Sequence, residues 1–249
     1  MYSLNSSPPL KKSSHRQEFV NGLNSALPIC LGYIPVAVTF AIISQTQGIP
    51  NFIIILMSVL VFAGASQFAA VGMLSTGSIM SEIILATFVL NLRHLIFSAS
   101  LSRRLEKDLG SVWAALIAFG VTDESFATAS LQACDILPRY YLIGLNFAAY
   151  AAWVGGTGAG LFLSTLLPQL IKNSLGIALY ALFIGLLIPA VRISRPAGTV
   201  MVLALATSSI LFWVPGLNTI PTGWRIILST TLTAGFGALA FPVERGEQL

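Results

Sequence analysis

Charge is what this chain has least of. Only 9% of its 249 residues are Asp, Glu, Lys or Arg, where an ordinary soluble domain carries about 25%. No long polar stretch exists from which a soluble catalytic domain could be built. Cysteine is nearly absent. Cys30 and Cys134 are single thiols in or beside apolar runs, which excludes a disulfide framework or a cysteine metal site and predicts two buried thiols. Histidine occurs twice, without an HExxH pair, and no glycine-rich phosphate loop is present. Zinc hydrolysis and ATP-driven chemistry in this chain are therefore excluded, and no metal or cofactor is expected.

Apolar residues fill the rest. They make up 55% of the chain, with a mean hydropathy of +0.84. This composition belongs to an all-α polytopic membrane protein, since a bilayer admits only helices or closed barrels and these runs reach helix-spanning length. The net charge of +4 then reports loop composition, not an affinity for nucleic acid. The basic residues divide almost evenly between alternate loops and leave the orientation open.

Residues 1–18 are polar and basic, and read as a mobile tail. Residues 19–249 read as one transmembrane domain with eight spans, or seven if a broken span does not cross. The expected spans are Gly22–Ser44, Phe52–Leu74, Ser81–Leu101, Trp113–Leu131, Tyr141–Leu167, Leu175–Val191, Ala197–Val214 and Trp224–Phe241. The first apolar run is long and followed by others, so no cleavable signal is expected. Residues 19–105 and 110–196 share a faint pattern of glycines and polar residues, with helices 197–241 outside it. Three spans per copy would invert the second copy. Inverted repeats place broken helices at the midplane, here spans one and four, at Gly32–Pro35 and Gly120–Asp123.

Polar residues gather at the middle of the first four spans: Tyr33 and Pro35; Ser66 and Gln67; Asn91, Arg93 and His94; Thr122, Asp123 and Glu124. A carboxylate at the centre of a span costs about 2.5–3.5 kcal/mol on the insertion scale, so two adjacent acids call for a function. Neighbours on a helix point ~100° apart, so one acid could pair with Arg93 while the other faces a cavity or a proton path. The bland reading of Arg93 with an acid is an ion pair that offsets its own burial. His94 suits a hydrogen-bonded core position or a proton carrier. The mixture of both charge signs with amides fits a zwitterion, its carboxylate held by Arg93 or a helix N-terminus and its ammonium by an acid. Gly156 and Gly160 form a small-xxx-small face suited to close helix packing.

Four motifs carry a family resemblance: Gly32-Tyr33-Ile34-Pro35-Val36-Ala37, Phe62-Ala63-Gly64-Ala65-Ser66-Gln67-Phe68, Asn91-Leu92-Arg93-His94 and Thr122-Asp123-Glu124-Ser125-Phe126. In this order and spacing the sequence resembles the AzlC family of bacterial inner-membrane branched-chain amino acid permeases, over about Glu18–Val191. The resemblance implies export of valine, leucine, isoleucine and methionine, and a small AzlD-type membrane subunit as partner. It implies no enzyme activity. A rival from another class, an intramembrane hydrolase using Ser66 and His94, would need geometry that sequence does not supply. A third reading is an assembly subunit with no pathway of its own.

Overall fold

The computed structural model describes residues 14–106, 108–166 and 194–241, with isolated positions between 168 and 192. Ten α-helices occur among the described residues: α1 His15–Ser25, α2 Leu27–Thr46, α3 Asn51–Leu60, α4 Gly64–Ser75, α5 Met80–Ser102, α6 Ser111–Gly120, α7 Asp123–Ser130, α8 Arg139–Ser164, α9 Arg195–Trp213 and α10 Thr222–Ala240. Three of them, α2, α5 and α9, have both the length and the apolar composition of a membrane span. Their outward positions carry large apolar side chains: Leu31 is 75% exposed, Leu95 70% and Trp213 77%. Water would penalise such a surface and lipid would not. The chain is an all-α membrane protein.

Contacts divide the chain into two compact units, one from the chain up to Leu31 with Ile96–Ala152, the other from Gly32–Leu95 with the chain from Trp153 on. The divisions fall inside α2, α5 and α8.

In the first unit, α1 and α8 cross at glycines. A Cβ on Gly22 would lie 2.1 Å from the Tyr141 carbonyl oxygen, and one on Gly144 2.3 Å from that of Phe19. Only a bare backbone admits that approach. Residues 15–18, expected in the polar tail, belong to α1. Ser14 caps the helix, its hydroxyl accepting from the Gln17 N–H at 3.3 Å, and Ser-x-x-Gln is a helix-start pattern. Beyond α6 and α7, the Leu137 N–H donates to the Arg104 carbonyl at 2.8 Å. Arg139 meets Glu106 at 2.6 Å.

The second unit packs α2 against α8 through the two glycines singled out above. A Cβ on Gly156 would meet Ala37 at 2.9 Å and one on Gly160 the Val38 carbonyl at 2.7 Å, so the small face is used within the chain. At the end of this seam the Ser164 hydroxyl donates to Gln45. Ala70, Met73, Ile83 and Ala86 form a core onto which Ile226 and Ile227 of α10 pack. α9 and α10 form a hairpin in which Gly237 faces Val200.

The expectations for Pro35 and for the two cysteines need correction. The first span is not broken at Pro35, since α2 runs through it as one helix. A proline removes one backbone donor, which a membrane helix tolerates, and the Pro35 carbonyl accepts from the Thr39 hydroxyl at 2.8 Å. The break falls in the second span instead, at residues 61–63 between α3 and α4. The fourth span is broken as expected, at residues 121–122. The spans aligned by the repeat therefore differ in continuity. Cys134 is exposed, in the turns after α7, and Cys30 is half-buried; both are free thiols. The sixth expected span, 175–191, lies almost wholly outside the described residues.

Candidate functional site

The second unit builds its polar centre on the break between α3 and α4. Phe62 has φ 45°, a left-handed conformation that a bulky side chain rarely adopts. It turns the chain so that α4 begins at Gly64. The first in-helix bond is Gln67 N–H to the Ala63 carbonyl at 3.0 Å. Ala63, the cap residue, supplies no side-chain acceptor. The N–H groups of the first turn therefore present the positive end of a helix inside an apolar span.

Four buried side chains hold this turn in place. The Trp153 indole N–H donates to Gln67 Oε1 at 3.1 Å. Gln67 Nε2 donates to Ser58 Oγ at 3.2 Å, and Ser58 Oγ lies 2.8 Å from Thr157 Oγ1. The Thr157 hydroxyl donates to the Trp153 carbonyl at 2.9 Å, so Ser58 is the donor to Thr157. Each link satisfies the next, which a buried polar network requires to be stable. Its members come from α3, α4 and α8. The edge of the Trp153 ring lies where a Cβ on Gly64 would be, 2.8 Å away. Tyr33 meets the same indole edge-on at 5.5 Å and Phe62 at 6.3 Å, and Phe40 packs on both Trp153 and Phe68.

Of the residues expected at the site, the structure thus gathers Tyr33 and Gln67 around Trp153. Pro35 is exposed on α2. The Ser66 hydroxyl donates to the Ala63 carbonyl at 2.9 Å and so is not engaged with a base. Asn91, Arg93 and His94 are half-buried on α5, and Asn91 Oδ1 is buried without a hydrogen-bond partner among the described residues. Trp153, Ser58 and Thr157 were missed. Their only sequence signal is a lone polar or indole group within an apolar run.

The first unit places Thr122, Asp123 and Glu124 at the break between α6 and α7. Here both sides of the break are sealed. On the α6 side, Asn146 Nδ2 donates to the Ile117 carbonyl at 3.0 Å. On the α7 side, Thr122 and Ser125 form a capping box: the Ser125 N–H donates to Thr122 Oγ1 at 3.3 Å and the Thr122 N–H to Ser125 Oγ at 2.9 Å. Asp123 and Glu124 occupy the first turn of α7 and are half-buried. A helix N-terminus stabilises each carboxylate by about 0.3–1 kcal/mol, which lowers the cost of placing acids in a span. Behind them Phe126 stacks on Phe97 at 4.7 Å.

A cavity of about 460 Å³ lies elsewhere in the first unit, with Glu18, Asn21, Gln132 and Tyr141 among its walls. None of the expected site residues lines it. Among the described residues no group of three His, Cys, Asp or Glu side chains could hold a metal ion.

No solved structure matches this chain. A membrane protein of Archaeoglobus fulgidus described as uncharacterized is 38% identical over 176 residues, 70% of this chain and 76% of that one. The inner membrane protein YgaZ of Escherichia coli is 33% identical over 188 residues, 73% of this chain and 77% of that one. The branched-chain amino acid transport protein AzlC of Bacillus subtilis is 26% identical over 154 residues, 60% of this chain and 59% of that one. The profile described as AzlC protein matches residues 28–167, which takes in both interrupted spans and the α5 polar group. With more than half of its length matched, the chain belongs to the AzlC family.

Proposed function

We propose that the chain is the large subunit of a permease that exports valine, leucine, isoleucine and methionine across a bacterial inner membrane. It works with a small AzlD-type membrane subunit, and an ion gradient drives the step. The observation that carries this reading is the α4 N-terminus, which opens inside an apolar span with no side-chain cap. That end takes the carboxylate of an amino acid, and the aromatic groups of Tyr33, Phe62 and Trp153 beside it suit an apolar side chain. The substrate class follows the name of the Bacillus subtilis relative. An aromatic and aliphatic lining discriminates one methylene by only about 1–3 kcal/mol, so specificity is broad. Asp123 or Glu124 exchanges the driving proton, an ordinary role for an acid within a span.

The test is efflux from liposomes containing the purified protein with and without its small partner. Valine, leucine, isoleucine and methionine should all leave, faster with the partner, and collapsing the proton gradient should slow them. Movement of only a charged amino acid or a metal ion would overturn the reading.

A further inference from the structure

α7 is a helix of eight residues, too short to be stable by its own hydrogen bonds. Its first turn is fixed by the capping box described above. Its other end is fixed by one side chain from outside it. Arg104 Nη1 donates to the carbonyls of Ala129 at 3.4 Å and Ser130 at 3.1 Å. Arg104 Nη2 donates to those of Gln132 at 2.7 Å and Cys134 at 2.5 Å. The last carbonyls of a helix have no partner within it, and a cation there also suits the helix dipole. The carbonyl of Arg104 accepts from the Leu137 N–H as well, so this residue holds the chain from the last turn of α7 to the start of α8. A planar guanidinium with several donors can serve four carbonyls at once, and an ammonium cannot do so in that geometry. Arg103 beside it is exposed and shares none of these bonds.

We infer that Arg104 is the positioning residue for Asp123 and Glu124. Held at both ends, α7 is about 12 Å long at ~1.5 Å per residue. Fixing its C-terminal end therefore sets where its first turn, with the two acids, comes to rest. The inference rests on the role given to those acids under Proposed function.

The experiment compares wild type with Arg104→Ala, Arg104→Lys and the control Arg103→Ala, each purified and reconstituted with the small partner. Backbone deuterium exchange at residues 126–131 reports the clamp without reference to transport. Arg104→Ala should speed it by at least ~10-fold, Arg104→Lys by less, and Arg103→Ala should leave it unchanged. Valine efflux per folded molecule is then measured against valine concentration. Arg104→Ala should lower the maximal rate by ~10-fold, since small misplacements are costly, and leave the half-saturating concentration within ~2-fold. Arg104→Lys should recover part of the rate. A purely structural role would lower the folded amount and leave the rate per folded molecule alone. Exchange equal to wild type in Arg104→Ala overturns the clamp, and faster exchange with a normal maximal rate overturns the positioning role. A wild type that moves no amino acid defeats the permease reading instead, and the exchange measurement still decides whether Arg104 holds α7.

Discussion

The two interrupted spans solve the same problem in opposite ways. Each stops a helix inside an apolar stretch and restarts it within three residues. Between α6 and α7 the loose backbone groups are met by side chains: Asn146 takes the Ile117 carbonyl, and Thr122 and Ser125 cap the restart. Two acids then occupy the first turn. Between α3 and α4 the restart has no side-chain cap, and no acid follows it. That end stays positive, and its backbone is held by the indole, amide and hydroxyl groups around Gln67 instead. One break thus carries acids of its own and the other presents an uncapped helix end, which the proposed function uses to receive a carboxylate. α8 serves both, with Asn146 in one unit and Trp153 in the other.

The largest expected effect lies at the charged break. Asp123→Asn and Glu124→Gln should each impair valine efflux, and at least one should reduce it to background while the protein still inserts. The N-terminal dipole favours an acid but does not require one, and the proposed function gives the acids the proton step. Normal efflux from both variants at normal expression would remove the transport role of the pair.

The glycines behind the breaks come next. A Cβ on Gly120 would lie 2.5 Å from Asn146 Cβ, an atom fixed to the α8 backbone, so a helix must move. A Cβ on Gly64 would meet the far edge of the Trp153 ring at 2.8 Å, which can tilt at the cost of its bond to Gln67. Overpacking costs about 1–3 kcal/mol. Gly120→Ala should fall near the top of that range and Gly64→Ala near the bottom, read as thermal unfolding in detergent. Equal losses would mean that the two breaks are equally rigid.

How much of this was legible in the sequence depends on local chemistry. The break at Thr122 was readable, because a helix interior has no use for Gly120, Thr122 and two acids in a row. Pro35 misled, because a proline marks a lost donor and a single lost donor does not stop a helix. The break at Phe62 carried no warning, since the left-handed residue is a phenylalanine and the glycine comes two residues later. Tyr33 and Gln67 were expected at one depth and both meet Trp153, but Trp153, Thr157 and Asn146 gave no signal of their own. They act from α8, and only the fold brings a residue such as Thr157 to Ser58, far from it in the chain. Nothing in the sequence sets Arg104 apart from Arg103 beside it, and its four carbonyl partners are absent from any sequence pattern.

A smaller effect should follow removal of the capping box. Thr122→Ala costs about 1 kcal/mol of stability, the usual loss for an N-cap, and Ser125→Ala removes the reciprocal bond. Because the box is a closed pair, the double variant should lose less than the sum of the two single losses. Additive unfolding free energies would show that the two bonds act independently.

The smallest effect on stability is the most informative about transport. Ala63→Ser places a hydroxyl at the N-cap of α4, where it can accept from the first turn as Thr122 does in α7. An N-cap serine adds about 0.5–2 kcal/mol over alanine, and this buried site should fall at the low end, since the new hydroxyl also loses its water. The same hydroxyl occupies the N–H groups that the amino acid carboxylate is proposed to use. The half-saturating valine concentration should therefore rise by ~10-fold, the loss expected for competition worth about 1.4 kcal/mol, with the maximal rate nearly unchanged. The protein would then be more stable and a poorer permease, which a packing fault cannot produce. If Ala63→Ser raised the unfolding temperature and left half-saturation untouched, the α4 N-terminus would not be where the carboxylate binds. The contrast between a break that carries charge and one that receives it would then be structural only.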